Sequence, residues 1–355
     1  MIMRTVLIYI FLLMTYGCIE PFEPDFDLDT SNIVITGIIT DLEPAQVEIA
    51  KSVLQSTKLS NVEHFSGATV ILFDDQGNEE QLYEQKSGFY KGRSKGIVGR
   101  TYHINVYLSD NDIIVSAPQL LNPGSSIDNL SLEQMRFFKV FGKIKVDIIG
   151  LNLNLDMNNS DTLAKYYKWT VGGTYKRYTA SGGGAPCYVT LPPNFHFVLG
   201  QSVSNTTNLL SKKLNFFTPN GKFAEGYSVE VTQFVLTKEA YDYWKKIDTQ
   251  KNNVGSVFDP PPAQITSNLT YIDNQDISVI GFFEVSSAKT KRIFISPTDF
   301  PGLTNQSSQF STRSINAKCF PPPGWGGGGF STPRSCDDCS LLENSTKTKP
   351  PYWPE

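Results

Sequence analysis

The stretch "GATVILFDDQGNEEQLYEQKSGFYKG" (Gly67 to Gly92) decides the fold class. Val70-Ile71-Leu72-Phe73 is a β-branched and aromatic run, and Glu80-Gln81-Leu82-Tyr83 is a second short run of strand character. Asp75-Gln76-Gly77-Asn78 lies between them. Short polar side chains there bond their own backbone and glycine accepts positive φ, so the segment reads as a β-hairpin. The same texture extends on both sides. Upstream, "IVITGIIT" (Ile33 to Thr40) and "AQVEIAKSV" (Ala45 to Val53) flank a turn at Glu43-Pro44. Downstream, "GRTYHINVYLSD" (Gly99 to Asp110) alternates, with Tyr102, Ile104, Val106 and Tyr107-Leu108 near one buried face. About seven short strands at this spacing predict an immunoglobulin-like or transthyretin-like β-sandwich over residues 32–118.

A turn-rich joint, "APQLLNPGSSIDN" (Ala117 to Asn129), opens a larger β-rich domain assigned to residues 119–318. Its strands include "KIKVDIIGLNLNLDM", "KYYKWTVGGTYKRYTA", "YSVEVTQFVL" and "SVIGFFEVS". One helix is expected at 238–250, within "TKEAYDYWKKIDTQK", with Thr237 as N-cap and Ala240, Tyr241, Trp244 and Ile247 on one packing face. Lysines near its end suit the helix dipole. Residues 319–355 form a Cys-, Pro- and Gly-rich tail, "CFPPPGWGGGGFSTPRSCDDC" onward. Proline removes ladder donors there, and a glycine run is costly to order.

The first residues fix the compartment. Arg4 precedes the apolar run "TVLIYIFLLM" (Thr5 to Met14), which suits a signal peptide and falls short of the roughly 20 residues a spanning helix needs. The run closes at Gly17-Cys18 rather than at an A-x-A site. That is the pattern of a bacterial lipoprotein signal over residues 1–17, with Cys18 as the lipidation site. The alternative is ordinary secretion with Cys18 in a disulfide. Several acyl chains on one residue anchor stably where one does not. Residues 18–31 carry Glu20, Glu23, Asp25, Asp27 and Asp29 among prolines, and read as an acidic tether.

With Cys18 set aside, Cys187, Cys319, Cys336 and Cys339 remain. An even number in an oxidising compartment points to two disulfides. Either Cys187 pairs into the tail or Cys336 and Cys339 pair locally. A Cys₄ zinc site would be expected to show two CxxC knuckles, and a redox CxxC belongs at a helix N-terminus. No metal and no cofactor are expected.

The formal charge of −4 and the lack of a basic block argue against nucleic acid as a partner. His64, His103 and His196 belong to no recognisable ligand pair, and no GxSxG elbow is present. Gly182-Gly183-Gly184 lacks the lysine of a phosphate loop, and Glu79-Glu80 and Asp337-Asp338 read as solvated turns. The chain is therefore read as non-catalytic. A hydrolase with a site dispersed over loops is the alternative. Trp325 and Trp353 are candidate ligand or partner contacts, with Trp353 tucked against the protein as the competing reading. Asp161-Thr162-Leu163 matches a short O-glycosylation pattern with Thr162 as acceptor.

Three segments carry a family resemblance: "CIEPFEP" after the signal, the stretch from Tyr241 to Ile295, and the ending "CDDCSLLENSTKTKPPYWPE". With Tyr166-Tyr167-Lys168-Trp169 in the middle, the chain resembles the Bacteroidota lipoproteins grouped as domain of unknown function 4249. The "PPPGWGGGG" loop departs from that pattern. The resemblance implies an outer-membrane lipoprotein, often encoded beside TonB-dependent receptors, and it supplies no catalytic residues. In such lipoproteins acids after the lipidated cysteine resemble an export signal to the cell exterior; the periplasmic face is the alternative. The expected function is a surface-exposed, non-catalytic accessory of TonB-dependent nutrient uptake with an unknown ligand. A structural or adhesion module is the second reading.

Overall fold

The structure is a computed structural model that describes residues 33–51, 63–108, 112–141, 144–158, 166–178, 186–193, 197–202, 209–218, 221–252, 265–273, 279–300, 338 and 341–354. The chain is mostly β, and the helix α1 (Lys238–Asn252) is the only α-helix among the described residues. The strands of the first region are β1 (Ile33–Thr40), β2 (Pro44–Lys51), β3 (Glu63–His64), β4 (Thr69–Asp74), β5 (Glu79–Lys86), β6 (Phe89–Lys95), β7 (Thr101–Tyr107), β8 (Ile113–Ser116) and β9 (Gln119–Leu120). There follow β10 (Asn129–Phe141), β11 (Ile144–Asn158), β12 (Tyr166–Arg177), β13 (Cys187–Leu191), β14 (Phe197–Gln201) and β15 (Leu209–Phe217). The last strands are β16 (Tyr227–Leu236), β17 (Leu269–Tyr271), β18 (Ile280–Ile295) and β19 (Ser345–Thr346).

The opening hairpin forms as its turn residues dictate. Asp74 Oδ1 accepts the backbone N–H groups of Gln76 and Asn78, each at 2.9 Å, and Gly77 takes φ 80°. A side-chain carboxylate thus stands in for backbone partners inside the turn. Alternation does the rest. Val70 and Leu72 of β4 and Tyr102, Ile104 and Val106 of β7 are buried in one core with Ile35, Ile39, Val47 and Ile49.

That core is not closed by residues 32–118 alone. Strand β17 pairs antiparallel with β8, and β1 pairs in parallel with the first half of β18. Phe283, Val285, Leu269 and Tyr271 complete the same hydrophobic cluster. The boundary expected near Pro118 therefore marks a crossing of the chain and not the end of the sandwich. The second half of β18 then pairs with β16, so one sheet runs without a break from the first core to the second.

The second core lies between β12, β13 and β16 on one side and the three-stranded sheet β10–β11–β15 on the other. Leu151, Leu153, Leu155 and Met157 meet Tyr167, Trp169, Val229 and Val231 there. Gln233 locks the joint against this layer. It accepts from Trp169 Nε1 at 2.8 Å and donates to the Ser125 carbonyl at 2.8 Å.

Along β18 the odd-numbered residues serve both cores: Phe283 and Val285 the first, Ile293 and Ile295 the second. Even-numbered residues face the opposite side by strand alternation. There α1 packs, burying Ala240, Tyr241 and Tyr243 against Leu236 and Phe282. Thr237 Oγ1 accepts the Ala240 N–H at 3.2 Å, as an N-cap does.

Tyr227 sits in the second core under Gly173, whose missing Cβ would lie 2.6 Å from the Tyr227 hydroxyl. Burial, and then the neighbouring Tyr175, push its pKa from 10.0 up to about 12. A raised folded-state pKa means the neutral phenol is favoured by folding. That stability is complete below the unfolded value near 10 and is lost as pH rises through about 12. Alkaline titration of the unfolding free energy should show a fall of roughly 2–3 kcal/mol from this residue. Tyr227→Phe should remove that share, leaving the smaller ones of Tyr90, Tyr175, Tyr241, Tyr243 and Tyr271, whose values burial also raises.

Candidate functional site

The face of the sheet that carries α1 also carries a groove of about 610 Å³. Register builds it. Ile38 lies beside Glu284 in the parallel pair, Thr36 opposite Glu48, Ile38 opposite Gln46, Gln46 opposite Lys91 and Glu48 opposite Phe89. Directly paired residues share a face, so these side chains rise on the side away from the sandwich core. Trp244 of α1 walls one end, and Gln85 and Lys86 of β5 lie on the far rim.

The inner end holds a buried ion pair. Lys168 Nζ donates to Glu284 Oε2, and the two side chains are 7% and 2% exposed. Glu284 accepts further from Trp244 Nε1 at 2.6 Å on Oε2 and from Ser286 Oγ at 2.9 Å on Oε1. Lys168 lies 4.1 Å from the Trp244 ring centroid and 4.9 Å from that of Phe234. Burial pushes the Lys168 pKa down, and the Glu284 charge and hydrogen bond oppose it. Tyr243 beside them is pushed up, first by burial and then by the Glu284 charge. The aromatic surround favours the ammonium over the amine, because ring quadrupoles attract a cation.

Chemically the arrangement is a binding end-wall. The carboxylate is committed to three donors, so it is poorly placed to take a proton from a substrate. Near the opposite end, Glu48 Oε1 lies 3.6 Å from His64 Nδ1, and the His64 ring tilts against Phe89 at 4.8 Å. Lys86 lies over Phe89 at 4.1 Å.

Apart from His64, the candidate site residues named from the sequence fall elsewhere or outside the described residues. Cys18, Thr162, His196, Cys319, Trp325, Cys336 and Cys339 lie outside the described residues. Cys187 is fully buried at the head of β13. His103 stacks on Phe73 at 5.0 Å, and burial lowers its pKa; it is a packing residue of the sandwich. Of the two readings of Trp353 the tucked one matches the structure: it is 8% exposed and set edge-on against Tyr188 and Phe294, each at 5.1 Å. The cause is the short antiparallel pairing of β19 with β13, which lays the tail over the sheet. Tyr352 adds a hydroxyl contact of 3.0 Å to Thr174 and lies under Arg292 at 3.6 Å. Trp353→Ala should free this strap at a cost of about 3 kcal/mol, read as faster proteolysis between Thr346 and the terminus.

Of the groove residues, the sequence names Trp244 only as part of a packing face and Lys168 only within the stretch that carries the family resemblance, neither as a site. Lys168 in "YYKWT" and Glu284 in "GFFEVSS" are lone charges in apolar strands, and opposite charges of that kind are a signal for a buried pair.

A family model described as a domain of unknown function, DUF4249, matches residues 19–292. The chain belongs to this family. The match to DUF4249 takes in every residue named in the groove and ends inside β18, so the tail, including the β19 strap, lies beyond it. A comparison with curated proteins gives no match.

Proposed function

We propose that this DUF4249 protein is an outer-membrane lipoprotein, held by lipid on Cys18 and exposed at the cell surface, that works by binding. Its role is that of an accessory to a TonB-dependent nutrient transporter. The observation that carries the binding role is the groove: a cavity of ligand size whose buried charges satisfy each other and whose walls carry amide, hydroxyl and aromatic groups. The apolar run at Thr5 to Met14 supports the lipid anchor.

Purification from native membranes tests the partner. The expected result is recovery with a β-barrel receptor, and recovery with no barrel partner would overturn the accessory role. Cys18→Ala should release folded protein into the soluble fraction; retention on membranes would refute the anchor. In the same reading Cys187 is bonded to a tail cysteine, stapling the segment whose β19 already pairs with β13. Peptide mapping without reduction should recover Cys187 linked to Cys319, Cys336 or Cys339.

A further inference from the structure

The geometry points to a neutral, polyhydroxylated ligand for this groove, a short oligosaccharide whose innermost ring meets Lys168 and Trp244. The assignment rests on the binding role proposed above and adds the chemical class.

Charge decides it first. At the inner end Lys168 and Glu284 cancel, and both are removed from water. An anionic group seated there would lie against a carboxylate that is 2% exposed, where repulsion is poorly screened. A cationic group would meet Lys168 at the end-wall, while further out Lys91 and Glu48 offset each other. A neutral ligand meets neither penalty.

Hydrogen-bonding capacity decides it second. An ammonium has three N–H donors. Among the described residues Lys168 spends one on Glu284, and its other neighbours are ring faces. A donor at the cavity end is thus available to a hydroxyl or ring oxygen. Further out, Thr36 and Gln46 make no side-chain hydrogen bond among the described residues, and Glu48 approaches only His64, at 3.6 Å. Hydroxyl and amide groups both donate and accept, as a sugar hydroxyl does, so one wall can match successive hydroxyls in either sense. Ile38 and Phe89 supply apolar surface for the C–H faces of sugar rings. The Lys86 ammonium over Phe89 belongs to an exposed side chain that can swing away.

The test uses the soluble chain from residue 19 to 355 on a microarray of neutral gluco-, manno- and xylo-oligosaccharides. Uronate oligosaccharides and extended peptides are printed beside them, and hits are followed by calorimetry and Trp fluorescence. The expected result is binding of at least one neutral oligosaccharide, weakened at least tenfold by Gln46→Ala and by Trp244→Phe. Thr36→Val, an exposed change, should weaken it without altering the melting temperature. Binding confined to uronates or peptides would overturn the assignment. So would neutral-glycan binding that survives Gln46→Ala and Trp244→Phe unchanged, or an array with no bound neutral glycan. Failure here with a barrel partner still recovered from membranes would remove the sugar and leave the accessory role standing.

Discussion

Glu284→Ala should destabilise the protein by about 3–5 kcal/mol, which urea unfolding would read as a large drop in midpoint. The variant leaves the Lys168 ammonium 7% exposed between two aromatic rings with its counter-ion gone. It also strips the acceptor from Trp244 Nε1 and Ser286 Oγ. Lys168→Met should cost less, because Glu284 keeps those two donors. The double variant Lys168→Met/Glu284→Leu should recover most of the loss, since apolar replacements of similar volume leave no charge unpaired. A cycle in which the double variant is as unstable as the sum of the singles would show that the two residues act independently. Recovered stability with lost ligand binding would separate the pair's structural part from its part in the groove.

The second large effect lies three residues earlier. Gly281 has φ 122°, and a Cβ there would sit 1.8 Å from the Ile35 carbonyl oxygen. Nothing in that contact can yield, because the oxygen belongs to β1 and is fixed by the parallel register that sets Ile35 beside Gly281. Gly281→Ala should therefore cost about 4 kcal/mol or more and part β1 from β18. Amide exchange should rise first along Ile35 to Ile39. Unchanged protection there, with stability within 1 kcal/mol of the parent, would refute the reading. A serine or valine at the same position should be worse still.

Local features were open to sequence reading and distant ones were not. The hairpin at Asp74 to Asn78, the buried alternation of Tyr102, Ile104 and Val106, and the Thr237 cap each depend on residues within a few positions. The helix also lies where its pattern places it, although Tyr243 is buried and Trp244 turns partly to the groove. By contrast, nothing in "IVITGIIT" names Ile280 to Ser286 as its partner, because a β-branched run pairs equally well with many others. The closing of the first sandwich by β17 and β18 follows from that pairing, and so was invisible. The groove shares the difficulty, since Lys168 and Glu284 are 116 residues apart and each alone looks like a stray charge. Trp353 is a third case: a tucked side chain is one of its two readings in the sequence, but the two-residue strand that holds it is too short to leave a periodic trace.

The parallel pairing of β1 with β18 also sets how the protein answers to pulling. Tension arriving at Ile33 acts along β1, against hydrogen bonds that run from Val34 to Thr40 beside Ile280 to Ser286. Strands drawn past each other in this way share the force among all their bonds at once, whereas a hairpin pulled apart from its open end yields one bond at a time. Because the same β18 continues into its pairing with β16, the strain is handed from the first core to the second within one strand. The shear seam, the groove beside it and the buried ion pair thus lie on one mechanical element.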